Sequence, residues 1–281
     1  VAAVLVGVVV AVLVDSAAAV PEAAGPAAVG NREGEKMIPE KKLNDFVRRL
    51  RDAAGENLES ILLFGSAVTG DFHPQYSNLN VFCVLRDSSF ASLQSLAPAV
   101  KWWDGQKQPP PLFMTRDEIV RSSDVFTIEL MDIKEHHRVL FGEDVLQALT
   151  IPTKLHRIQV EYELGEKLAL LRQHLLLSSG DAARMWHLLT RSVSSFATLF
   201  HHALIALGKK APSGKRAAVQ ALSEVIGFDA SAFSQVMDVR EQKLDRKQLN
   251  VAEVFSRYLT ALEQVVAAVD SMLDSGTTGP V

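Results

Sequence analysis

Past Pro152 the strand-like runs of this chain stop, and helical spacing takes over to the C-terminus. Apolar residues recur at i, i+3, i+4 and i+7 over residues 153–178, 181–208, 214–226 and 248–274, with a shorter piece over 230–241. The last long stretch carries Val251, Val254, Phe255, Tyr258, Leu262, Val265, Val266, Val269 and Met272 on one stripe. Such stripes cannot be buried by one helix alone. Long helices with short connections pack them against each other as an antiparallel bundle. Ahead of Pro152 the apolar runs are short and end at glycine or proline, the pattern of strands in a sheet. The chain is therefore expected to be α+β, with a mixed-sheet domain over residues 37–150, an all-α antiparallel helical bundle over 151–275 and a tail over 276–281. No repeat of solenoid length interrupts this division.

In the first half, Leu43, Phe46, Val47 and Leu50 give Pro39–Ala54 one buried helical face, with Lys41, Lys42, Arg48, Arg49 and Arg51 around it. Ser60–Phe64 reads as a buried strand stopped by Gly65. Ala67–Gly70 fits one helical turn, and Asp71–Ser77 a loop. Asn80–Leu85 is a second strand, and Asp87–Val100 an amphipathic helix. Lys101–Pro111, with Trp102, Trp103 and three prolines, reads as a loop before a short strand at Leu112–Met114. Thr115 suits the N-cap of a helix over Arg116–Arg121, since its hydroxyl accepts from an orphan amide and acids follow it. Val125–Ile133 reads as a third strand and Lys134–Leu140 as a short helix.

Composition narrows the function classes. A content of 48% hydrophobic and 22% charged residues fits a folded globular chain, and the net charge of −4 argues against a broad nucleic-acid surface. The single cysteine, Cys83, excludes an intrachain disulfide and a cysteine-based zinc site; its apolar neighbours predict a buried structural thiol. Val1–Val14 is apolar throughout but falls short of the roughly 20 residues of a membrane-crossing helix, so no transmembrane span is expected. No basic residue precedes that run, and the first methionine is Met37. Residues 1–36 are accordingly read as a non-structural extension or a leader. The expected location is cytoplasmic; the alternative, exported or anchored, follows if residues 1–25 are a true leader.

The chemistry-bearing residues cluster where the first two strands meet. A glycine turn leaving a strand can hold phosphates with backbone amides. Acids at i and i+2 of a strand point to one face and make a compact divalent-metal site. Here Gly65-Ser66 ends the first strand. Eleven residues later Asn78-Leu79-Asn80 opens the second.

Leu63-Phe64-Gly65-Ser66, this spacer and Asn78-Leu79-Asn80-Val81 together resemble the polymerase-beta-type nucleotidyltransferase superfamily. The resemblance covers about residues 40–145, and the helical half is similar to bundles that follow such domains in small bacterial members. It implies a nucleotidyltransferase-like mixed sheet, a nucleoside triphosphate (NTP) bound at Gly65 and Ser66, and Mg²⁺ at the positions of Asn78 and Asn80. Glu129, on the expected third strand, matches the third acid, with Asp132 as its alternate; Asp71 is a further carboxylate near the triplet.

The departure from that pattern carries as much information as the match. Both positions that need metal-binding acids hold amides, which are similar in shape but uncharged. The resemblance therefore implies a nucleotide- or partner-binding protein with impaired metal-dependent transfer, a pseudoenzyme. One alternative is an active transferase that moves a nucleoside monophosphate from an NTP to a small-molecule or protein hydroxyl, using Glu129 and Asp71. Another is a non-catalytic interaction scaffold. The apolar bundle is also expected to support a homodimer or a partner protein. His136-His137 and His201-His202 are adjacent pairs whose side chains diverge by about 100° on a helix, so neither makes a two-ligand metal site. The basic stretch Gly208–Arg216 reads as a solvated turn.

Overall fold

The computed structural model describes residues 38–73 and 76–276. The expected extension over residues 1–36 and nearly all of the expected tail lie outside the described residues. The chain divides into two compact units at Ile151/Pro152.

In the first unit α1 (Glu40–Ala54) presents Leu43, Phe46 and Leu50 to the core and stops at Gly55, whose φ of +54° suits glycine. β1 (Leu58–Phe64) is buried almost throughout and ends at Gly65, which leads into α2, the single turn Ser66–Thr69. β2 (Asn80–Leu85) returns antiparallel to β1, and β3 (Leu112–Thr115) runs parallel to β2. β4 (His137–Gly142) adds antiparallel to the other side of β1, giving the order β3-β2-β1-β4. Alternation along the strands separates two cores. One face packs Ile61, Leu63, Val81 and Cys83 against α1 and against α3 (Phe90–Gly105). The other packs Leu62, Phe64, Phe82 and Val84 against α4 (Arg116–Ser122) and α5 (Thr127–Glu135).

Thr115 caps α4 as expected: its hydroxyl accepts from the Glu118 amide at 3.2 Å, and the Glu118 carboxylate accepts from the Thr115 amide at 2.6 Å. Three expectations are corrected. α3 begins later and runs on through Pro98 to Gly105, so Trp102 and Trp103 are helical rather than in a loop. Trp103 is fully buried and stacks on Phe46 at 4.1 Å, while Arg49 lies over the Trp102 ring at 4.5 Å. Further along, the strand expected over Val125–Ile133 is α5, and the helix expected over Lys134–Leu140 gives way to β4. Phe126, Leu130 and Ile133 also satisfy helical spacing, and the sheet face that they cover selects that period over strand propensity.

The second unit contains α6 (His156–Ser178), α7 (Ala182–Ala206), α8 (Lys215–Ile226), α9 (Ser231–Arg240) and α10 (Val251–Gly276). Ser179, Gly180 and Asp181 alone join α6 to α7, a connection that turns the chain back on itself; the Asp181 carboxylate accepts from the Ala183 and Arg184 amides. α7 packs against α6, α8, α9 and α10, and is the most buried helix of this unit. An aromatic cluster holds its C-terminal half, with Phe200 5.0 Å from Phe233 and Phe233 stacked on Tyr258 at 4.2 Å. Two polar pairs are buried. His156 Nε2 lies 2.9 Å from His202 Nδ1, and Lys167 Nζ lies 3.2 Å from Glu163 Oε2. The basic stretch ends in contacts within the unit. Lys215 donates to Ser194, and Arg216 pairs with Asp238 and Glu241. Among the described residues no helix is long and apolar enough to cross a membrane.

Candidate functional site

Antiparallel pairing sets Phe64 directly opposite Asn80 at the last step of the β1–β2 ladder. Directly opposed residues share a sheet face, so the Asn80 side chain leaves the sheet on the side of Phe64, Phe82 and Val84. The next residue after Phe64 is Gly65, with φ of +76°, a conformation that L side chains rarely adopt. A Cβ there would come 3.0 Å from Asn80 Nδ2. The positive φ is what calls for glycine; the close approach of the amide adds a milder demand, because the end of the Asn80 side chain can give way. The Gly65 carbonyl closes the following turn by accepting from Val68 N at 2.9 Å. Ser66 begins that turn, half-buried like Gly65.

Leu79 is fully buried, while Asn78 and Asn80 flank it half-buried, so the triplet alternates as a strand end should. The Leu79 amide is held by Gln108, whose Oε1 accepts from it at 2.8 Å. The parallel β2–β3 ladder begins only at Phe82 and Leu112, beyond the three prolines, which offer no N–H. Gln108, at the edge of that proline run, supplies the missing partner from its side chain. Nothing in the sequence pointed to Gln108, because a lone glutamine before prolines has no periodicity to read.

Of the expected carboxylates, Asp71 is exposed in the loop after α2 and accepts from Thr69 Oγ1 at 3.3 Å. Glu129 is not on a third strand. It lies on α5, 5% exposed, on the helix that covers the sheet face shared by Asn80. The alternate, Asp132, is on the same helix. β3, the strand beside β2, reads Leu112-Phe113-Met114-Thr115 and brings no acid to the triplet. Among the described residues no group of three or more His, Cys, Asp or Glu side chains is placed to hold a metal. Mg²⁺ favours carboxylates and near-octahedral oxygen ligands. Two neutral amides next to an acid-free strand do not fit that requirement.

The near side of the sheet is tied down rather than reactive. His137, opposite Phe64 on β4, places Nδ1 2.7 Å from the Ile133 carbonyl and Nε2 3.1 Å from Asp144 Oδ2. Arg138 makes a two-pronged pair with Glu40 at 2.8 and 3.0 Å. Cys83 is fully buried as expected, and burial pushes its thiol well above the ordinary range.

Residues 40–139 match the family model of the nucleotidyltransferase domain. No curated protein matches the chain. Among solved structures, the crystal structure of spectinomycin adenyltransferase AAD(9) from Enterococcus faecialis with ATP and spectinomycin is similar in fold. It aligns with 80% of this chain and 99% of that chain, at a TM-score of 0.52 and 16% identity. The chain is α+β, a mixed four-stranded sheet followed by helices, and residues 40–139 are a nucleotidyltransferase domain of the polymerase-beta type.

Proposed function

We propose that this nucleotidyltransferase domain binds a nucleotide while its metal-dependent transfer is impaired. The observation that carries the reading is the pair of amides, Asn78 and Asn80, at the strand end beside Gly65, with no acid on β3. A lost catalytic group typically costs about 3 kcal/mol of transition-state stabilisation, so two losses suppress turnover by roughly 10⁴-fold or more. The likeness to an adenyltransferase crystallised with ATP supports a nucleoside triphosphate as the ligand class. Calorimetry with ATP, GTP, CTP and UTP, with and without Mg²⁺, tests the reading. Binding of at least one nucleotide without detectable transfer of labelled nucleotide is expected. An absence of binding to all four leaves only an interaction scaffold.

A second reading keeps activity, with a nucleoside monophosphate moved to a small-molecule or protein hydroxyl. What favours it is Glu129, a buried carboxylate on the helix that covers the face shared by Asn80. Transfer that is abolished by Glu129→Gln distinguishes it. The proposal extends to self-association of the helical unit. α6 leaves Leu176 and Leu177 79% and 75% exposed, and Ile158 and Tyr162 are exposed on the same helix. Ile158, Tyr162 and Leu176 recur at helical spacing along one side of α6, and a second copy of the same helix is the occupant we favour.

A further inference from the structure

We infer that the two amides recast the nucleotide site as one that takes the polyphosphate of a nucleoside triphosphate without a divalent metal. The inference rests on the proposed nucleotide binding and sharpens it.

A triphosphate placed beside two carboxylates meets like charges at short range, and a bridging divalent cation is what makes that arrangement favourable. Asn78 and Asn80 remove both charges at once. The repulsion from the strand end disappears, and with it the need for a bridging ion there; the carboxylate left on that face is Glu129, carried by α5 rather than by the strand. Each amide also offers what a carboxylate lacks, two N–H donors suited to phosphate oxygens.

The geometry locates the Asn80 amide. Phe64 pairs with Asn80, and Asn80 Nδ2 lies 3.0 Å from where a Cβ on Gly65 would stand, beside the glycine that turns the chain out of β1. Gln108 locks the Leu79 amide between the two asparagines at 2.8 Å, so the backbone carrying both side chains is held from both edges. No acid on β3 restores negative charge from that side. A hydrated Mg²⁺ on the phosphates would occupy the oxygens that the amides need and lower the charge that attracts their donors. The metal should then be neutral or unfavourable for binding.

The test is ATP affinity by calorimetry on the full chain in EDTA and again in excess Mg²⁺, for wild type, Asn80→Asp, Asn78→Asp/Asn80→Asp and the uncharged control Asn80→Ser. We expect wild type to bind ATP in EDTA at least as tightly as in Mg²⁺. The double aspartate variant should bind roughly tenfold or more weakly in EDTA and recover when Mg²⁺ is added. Asn80→Ser should follow wild type in its indifference to metal, and thermal melts confirm that each variant is folded. Wild-type binding that appears only with Mg²⁺ overturns the inference and leaves nucleotide binding standing. Absence of ATP binding with and without metal, together with absence of binding to the other three nucleotides, sinks the underlying reading as well.

Discussion

Gly65 and Asn80 meet at the end of the β1–β2 ladder, where a Cβ at position 65 would come within 3.0 Å of Asn80 Nδ2. The φ of +76° disfavours any L side chain, and a Cβ at 65 would in addition press on the movable end of Asn80. Gly65→Ala is expected to lower stability by about 1–2 kcal/mol and to weaken ATP binding by displacing the Asn80 side chain. Denaturant titration and calorimetry on the same preparation check both halves. If stability falls and affinity does not, the amide has no part in the ligand site.

Gly142 makes a harsher demand. At φ +76° a Cβ there would run into the Glu59 carbonyl, a backbone atom that cannot swing aside. Gly142→Ala is expected to cost about 2–4 kcal/mol, more than Gly65→Ala, because the β1–β4 pairing itself must shift. A chemical-denaturation midpoint that moves less than that of Gly65→Ala would overturn this ranking.

Alkaline pH should weaken the fold through two buried groups. Burial raises the Cys83 thiol above its ordinary value of 9.0 and the Tyr258 hydroxyl above its ordinary 10.0, and both side chains are completely buried. Below those values neither group costs anything. Above them the unfolded chain releases a proton that the folded chain keeps, so unfolding becomes easier as pH rises. Stability is expected to decline by up to about 1.4 kcal/mol per pH unit above pH 9, and more steeply above 10. Cys83→Ala should remove the first part of the decline. Thiol labelling of the native protein at pH 8 should be slow and limited by unfolding.

Lys167 neutralises Glu163 inside the helical unit, with side chains 10% and 5% exposed. Lys167→Met leaves a carboxylate buried without its partner and is expected to cost about 3–5 kcal/mol. The double change Glu163→Gln/Lys167→Met should recover most of that loss. Melting curves of wild type and the two variants decide the matter, and a double variant as weak as the single would show that shape rather than charge is at stake.

Self-association through α6 predicts a dimer in sedimentation at micromolar concentration. Ile158→Glu combined with Leu176→Glu should return a monomer with an unchanged melting temperature at low concentration. A wild type that sediments as a monomer at all concentrations removes the extension.

Much of the fold was legible along the chain because the deciding physics was local. The spacing of Leu43, Phe46 and Leu50, the glycine after Phe64 and the cap at Thr115 each act within a few residues, and the structure keeps them. The stretch 125–142 was not legible. Its apolar residues suit both periods, and only the sheet face carrying Phe64, Phe82 and Val84 decides that Phe126, Leu130 and Ile133 come from a helix and His137–Gly142 from the edge strand. Glu129 lost its expected strand for that reason.

The sequence by itself determined the Gly65-Ser66 turn, the Asn78-Leu79-Asn80 triplet and the helical character beyond Pro152, because chain chemistry and periodicity suffice for each. Only the tertiary structure decided that the Asn80 amide comes beside Gly65, that Gln108 holds Leu79, and that β3 arrives beside the triplet without an acid. Those relationships join residues separated by a loop or a crossover. Strand register sets them, and no local spacing encodes it.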